Sequence, residues 1–203
     1  MKLLVISCLL CFSTSIFSRG VLPSLKGQDV CWLGVDFSIG KFVGEAGFTD
    51  APKIKEEYMP AWNSSLITNR RIDILEKGLK MNSLSFNTDN TRTQNEKIEM
   101  DEYIQEKPHD IDGFDIAKLL ERYDYSEINQ NICISIVVES FDKLAGLGEV
   151  WMVFNFRDKN VKFMKKLDLK PAGVGFKRYW LTVLTEAIIV TDNRHKRWYK
   201  GKD

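Results

Sequence analysis

The sequence predicts an α+β domain whose helices pack on a mainly antiparallel sheet, and three patterns carry that reading. First, Ile132, Ile134, Ile136 and Val138 alternate with Cys133, Ser135 and Val137, while Val150, Met152, Phe154 and Phe156 alternate with Trp151 and Val153. Runs of period two are strands, and these are apolar on both sides, as in strands covered on both faces. Second, the tight turn Asp158-Lys159-Asn160 leads into Val161, Phe163, Lys165 and Leu167, which makes a C-terminal three-strand meander. Third, Phe176, Tyr179, Trp180, Val183, Leu184, Ala187 and Ile188 recur at helical spacing after the stop at Pro171. That stripe needs a sheet to lie on, and the meander supplies one.

The earlier elements follow from the same periods. Residues 30–37 read as a strand, with Cys31, Leu33, Val35 and Phe37 on one face. Ser38-Ile39-Gly40 turns the chain into a short extension over 41–44. Ile54, Tyr58, Trp62 and Leu66 recur every four residues, and Pro60 among them predicts a kink or a fresh helix start. Residues 71–80 form a second helical piece through Ile72, Leu75 and Leu79, and Leu84 and Phe86 mark a short strand. Residues 87–97 contain no strongly apolar side chain before Ile98 and read as an exposed loop. Asp112 has the form of a helix N-cap, with Asp115 at the third position and Ile116, Leu119, Leu120 and Tyr123 behind it.

Residues 1–18 stand apart from this pattern. Met1 and Lys2 lead into an apolar run over 3–17, and Ser13, Ser15 and Ser18 offer a small-residue cleavage site. This is the layout of a secretory signal, too short and too abruptly polar afterwards for a membrane span. The reading therefore divides the chain into a signal peptide, 1–18, and a single α+β domain, 19–203, exported to the periplasm or secreted. Val5-Ile6-Ser7-Cys8 has the form of a lipobox, but only Leu3 to Ile6 precede Ser7, against an apolar segment of about 7–15 residues in working signals. Cys8 and Cys11 leave with the leader. Cys31 and Cys133 remain, in apolar strand-like runs where cysteine behaves as a small hydrophobe, so both are expected as free, buried thiols, although export would permit a disulfide.

Composition narrows the partners. Lys plus Arg number 29 against 28 Asp plus Glu, and Lys2 lies in the leader, so the remaining charge is close to zero. Such a chain has no global electrostatic handle for nucleic acid. No later run is long and apolar enough for a transmembrane helix after signal cleavage.

The run VESFDK from Val138, the hairpin FNFRDKNVKF from Phe154 and GVGFKRYW from Gly173 resemble a group of small exported bacterial proteins of unknown function. LGVDFS from Leu33 and Pro60-Ala61-Trp62 fit the same group, so the resemblance covers most of the chain after the leader. It implies an exported α+β domain and brings no catalytic residue with it. More distantly, the order of elements is similar to the periplasmic lipoproteins of curli secretion and penicillin-binding-protein activation, a fold-level analogy that assigns no function.

Few residues are spaced for chemistry. Glu139 and Glu149 flank the expected 140–148 loop and Asp142 lies within it; two carboxylates meeting across a hairpin are the minimum for glycosidase-type acid–base work. His109 and His195 stand in polar surroundings without ligand spacing and read as surface residues. Asp110, Asp112 and Asp115 fail the register of a calcium loop, since Gly113 comes fourth rather than sixth, and helix capping accounts for them. Gly146-Leu147-Gly148 lacks the third glycine of a dinucleotide fingerprint, whereas Gly173 and Gly175 open a helix whose free N–H groups could hold an anion. The tail presents Arg194, Lys196 and Arg197 beside Trp198, a mixture able to grip an anionic polymer, with Trp198 expected outside the core.

The sequence thus leads to a non-enzymatic exported protein, without a cofactor or metal, that binds an envelope protein or polymer. The alternatives are a glycan- or peptidoglycan-acting hydrolase using Glu139, Asp142 or Glu149, and a secreted carrier of a small ligand, which requires a sizeable pocket.

Overall fold

A computed structural model describes residues 21–202; the expected leader, with Cys8 and Cys11, lies outside the described residues. Among the described residues seven strands form one sheet: β1 (Asp29–Asp36), β2 (Lys41–Val43), β3 (Ser83–Phe86), β4 (Ile104–Gln105), β5 (Ile132–Asp142), β6 (Leu147–Phe156) and β7 (Val161–Leu169). The helical segments are a 3-10 turn (Glu45–Gly47), α1 (Ala51–Lys53), a π-helical turn (Ile54–Tyr58), α2 (Met59–Thr68), α3 (Asp73–Gly78), α4 (Asp89–Glu96), α5 (Met100–Tyr103), α6 (Gly113–Glu121) and α7 (Phe176–Trp198).

The sheet corrects the expectation of a mainly antiparallel arrangement. Its main path, β3-β1-β5-β2-β4, is parallel at every step. Antiparallel pairing is confined to the meander β5-β6-β7, which is present as expected. β5 organises the whole. Its first half pairs with β1 and its second half with β2, so these two share one edge, while β6 takes the other. The physical reason lies in the connections. Parallel neighbours need a crossover, and the helices between β1 and β3 supply it, whereas two-residue periodicity looks the same in either direction.

Helices cover both faces. On one, α2, α3 and α7 bury Trp62, Leu66, Leu75, Trp180, Val183, Leu184 and Ile188 against Trp32, Ile134, Ile136, Phe141 and Phe154. Trp180 stacks on Phe141, with ring centroids 4.5 Å apart, as the helical stripe predicts. The stripe runs further than the sequence reading allowed. Thr191, His195 and Trp198 continue it inward, and Trp198 is 2% exposed, 5.3 Å from the Phe163 ring. Trp198 outside the core and His195 on the surface are therefore both corrected, because a helix of 23 residues keeps presenting the same face past the basic residues of its last turn. On the second face, Ile116, Leu119, Leu120, Tyr123 and Ile128 close over Cys31, Leu33, Cys133, Val137 and Val153. Asp112 caps α6 with a reciprocal box to Asp115.

The expected exposed loop over 87–97 is also corrected. It contains α4, in which Asn90, Thr91, Gln94 and Asn95 are buried. Among the described residues no helix is long and apolar enough to cross a membrane.

Candidate ligand-binding cleft

Three local irregularities meet where β1 runs past the end of β3. The pairing of β3 with β1 stops at Trp32–Phe86, and β1 bulges between Trp32 and Gly34. Beyond that point side chains replace the missing strand. Asn63 of α2 accepts the Val35 N–H and donates to the Val35 carbonyl, both at 2.8 Å. Thr91 of α4 donates to the Leu33 carbonyl at 2.7 Å. Asn95 accepts the Phe37 N–H at 2.7 Å and donates to the Val35 carbonyl at 3.0 Å. Gly34 makes this approach feasible: its φ is +97°, and a Cβ there would sit 2.6 Å from Asn63 Oδ1 and 2.7 Å from Thr91 Oγ1. The third irregularity is the π turn over Ile54–Tyr58, directly before Pro60. Proline has no N–H to offer Glu56 and its ring crowds that carbonyl, so a widened turn precedes it and a fresh helix, α2, starts at Met59 with Pro60 in its first turn, as the sequence predicts.

A cleft of about 420 Å³ opens between these elements. Met59 and Pro60 give it an apolar wall, Asn63, Thr88 and Asn95 a polar floor, and Lys55, Glu56, Ser64, Arg92 and Glu96 a polar rim with both charge signs. Much of the rim is already held in place. Lys55 Nζ donates to the Ile98 carbonyl at 2.6 Å, and Arg92 pairs with Asp89 at 2.6 Å. The volume lies in the range of small-molecule sites. π turns and bulges gather at such sites, where backbone irregularity re-aims side chains.

The sequence-predicted carboxylates lie elsewhere. Glu139 and Glu149 do come together, across β5 and β6, with Lys166 of β7 between them at 2.6 Å and 3.0 Å. Glu139 is fully buried and also accepts from Trp151 Nε1 at 2.6 Å; Glu149 accepts from the Ser140 hydroxyl at 2.6 Å. Burial lifts the Glu139 carboxyl above its ordinary range, against the lowering effect of Lys166 and Trp151. Burial works against the Lys166 ammonium, yet its bonds to both glutamates hold its pKa above that of an ordinary lysine. Every carboxylate oxygen in this clasp has a donor from within the protein. Asp142 is not part of it: at the hairpin it accepts the Ala145 N–H at 2.7 Å, which is a turn role.

Asp36, at the end of β1, is a buried acid that sequence reasoning passed over. It accepts from the Tyr123 hydroxyl at 2.7 Å and from the Ser38 hydroxyl and N–H at 2.6 and 2.7 Å. Burial raises its carboxyl pKa, with the Ser38 and Tyr123 bonds opposing. A single acid at the foot of an apolar strand, followed two residues later by serine, was the available signal.

The remaining predicted residues divide. Gly173 and Gly175 both have positive φ, +101° and +82°, and shape the turn into α7, whose N-cap Gly175 offers no side-chain bond. Arg194 and Lys196 are exposed, but Trp198 turns inward, so the basic residues and the ring do not share a face as the polymer-gripping arrangement requires. His109 lies in a loop, half-buried, where its Nε2–H donates to the Ile39 carbonyl at 2.9 Å. Among the described residues no cluster of three or more His, Cys, Asp or Glu is placed to hold a metal ion.

What fold and site define is a class: an α+β domain with a mixed sheet and a small-molecule-sized cleft at its parallel side. Comparison with known proteins takes this no further, since no family, curated protein or solved structure matches the chain.

Proposed function

We propose that this chain is an exported, non-enzymatic binding domain of the bacterial cell envelope that takes a small ligand in the cleft between α2 and α4. The cleft carries the reading. Its volume, apolar wall and mixed-charge rim suit a compact, partly apolar molecule bearing polar or zwitterionic groups. The leader-like residues 1–18 support export. The hydrolase alternative has the closeness of Glu139 and Glu149 in its favour, but Lys166, Trp151 and Ser140 occupy the oxygens that would have to move a proton. The binding reading is accordingly the stronger.

Two measurements test it. Protein recovered from its native host should begin between Ser15 and Gly20 by intact mass; a retained Met1 would overturn export. For binding, the probe is the small-molecule fraction of a host envelope extract, followed by native mass spectrometry. Wild type should retain an adduct that Ser64→Trp, which fills the cleft from its exposed rim, loses. Retention by both, or by neither, would remove the cleft reading.

A further inference from the structure

The two cysteines of the described residues stand 102 positions apart in sequence yet meet on one rung of the sheet: Cys31 of β1 is the direct register partner of Cys133 of β5. Neighbouring strands run about 4.8 Å apart, inside the Cα range of about 4.4–6.8 Å that a disulfide spans. In a parallel pair, register partners project to the same face, and both thiols are buried among the second-face core residues. Both are free in the structure, in agreement with the sequence reading.

We propose that Cys31 and Cys133 are a covalent modification site, a thiol pair that a disulfide of the glutathione or oxidoreductase class converts into a cross-strand bond. One thiolate attacks a sulfur of the oxidant and displaces the first oxidant thiolate, leaving a mixed disulfide. The second cysteine, as thiolate, attacks the protein sulfur of that mixed disulfide and expels the other oxidant thiolate. Two S–H bonds are lost and one S–S bond forms; the oxidant gains two electrons and both protons and leaves as two thiols. In the finished fold the two thiols interact, their mutual hydrogen bond lowering the Cys31 pKa and raising that of Cys133; before the fold closes either thiolate can make the first attack. The pair is also flanked by Asn155, the register partner of Cys133, whose side-chain carbonyl oxygen is buried without a hydrogen-bond partner.

Burial sets the timing. Both cysteines are fully buried in the finished fold, in one core cluster with Tyr125 and Ile128, so exchange belongs to folding, before that cluster closes. The bond would tie β1, which carries the bulge beneath the cleft, to the central strand.

The test is oxidative refolding of the full chain with Cys8→Ser and Cys11→Ser, so that this pair alone reports, whether or not the chain is exported. Refolded from reducing denaturant into mixed oxidised and reduced glutathione, it should lose both thiols and two hydrogen atoms of mass. Peptides containing Cys31 and Cys133 should be joined, and the thermal midpoint should rise by about 5–10 °C in a reductant-reversible way. Cys133→Ala added to this background should show no reductant-sensitive midpoint. Retention of both thiols, or a stable glutathione adduct on either cysteine, would overturn the proposal even if Cys133→Ala fails to fold.

Discussion

At the residue scale the molecule places acids in apolar surroundings and gives each a fixed set of donors. Asp36 shows the consequence for pH. Its folded-state carboxyl is raised above the ordinary value of about 4, so the folded protein holds this proton more tightly than the unfolded chain does. Its contribution to stability is therefore best at low pH and declines as pH rises from about 4 through the raised folded value. Asp36→Asn should flatten that part of the profile in urea unfolding measured across pH. Parallel profiles for variant and wild type would show that Asp36 does not titrate as its burial requires. Trp198 gives a second residue-level expectation. With its ring buried against Phe163, Trp198→Ala should cost about 3–5 kcal/mol, close to the cost of Trp180→Ala, and thermal melts of the two should fall together. A small shift for Trp198 alone would mean that the end of α7 frays away from the sheet.

At the scale of elements, the parts that bury apolar side chains were legible and the part that buries polar ones was not. The α7 stripe, the α6 cap and the three meander strands each follow from spacing alone, because apolar burial leaves a period in the sequence. α4 leaves none: its inward face is Asn90, Thr91, Gln94 and Asn95, which reads as solvent-facing polarity. The missing signal was tertiary context, since Thr91 and Asn95 close the open edge of β1 where β3 ends and Asn90 bonds the Asp124 backbone. The parallel pairing of the sheet was hidden for a different reason, as strand direction is set by crossovers rather than by residue type. Glu139 and Glu149 were legible as neighbours, but Lys166, two strands away in sequence, was needed to see that they are clasped. Asn95→Ala tests the role assigned to α4. It strands the Phe37 N–H in a buried setting and removes one donor to Val35, at a cost of about 2–3 kcal/mol in chemical unfolding. A change under about 0.5 kcal/mol, the level of a neutral surface substitution, would show that α4 is an ornament on the β1 edge.

At the scale of the whole molecule, β5 divides two kinds of construction. On one side lies the antiparallel meander, closed by the Glu139–Lys166–Glu149 clasp and covered by α7 on one face. On the other, short parallel strands give way to helices that meet the sheet through amide and hydroxyl groups, and there the cleft opens. A binding role assigns the two halves different work: a rigid support and an adaptable mouth. Hydrogen exchange with the small-molecule fraction of a host envelope extract tests this division most directly. Added ligand should slow exchange in residues 54–64 and 88–96, the two walls of the cleft, and leave the meander strands unchanged. Protection centred on Glu139, Glu149 and Lys166, or no protection anywhere, would contradict the account.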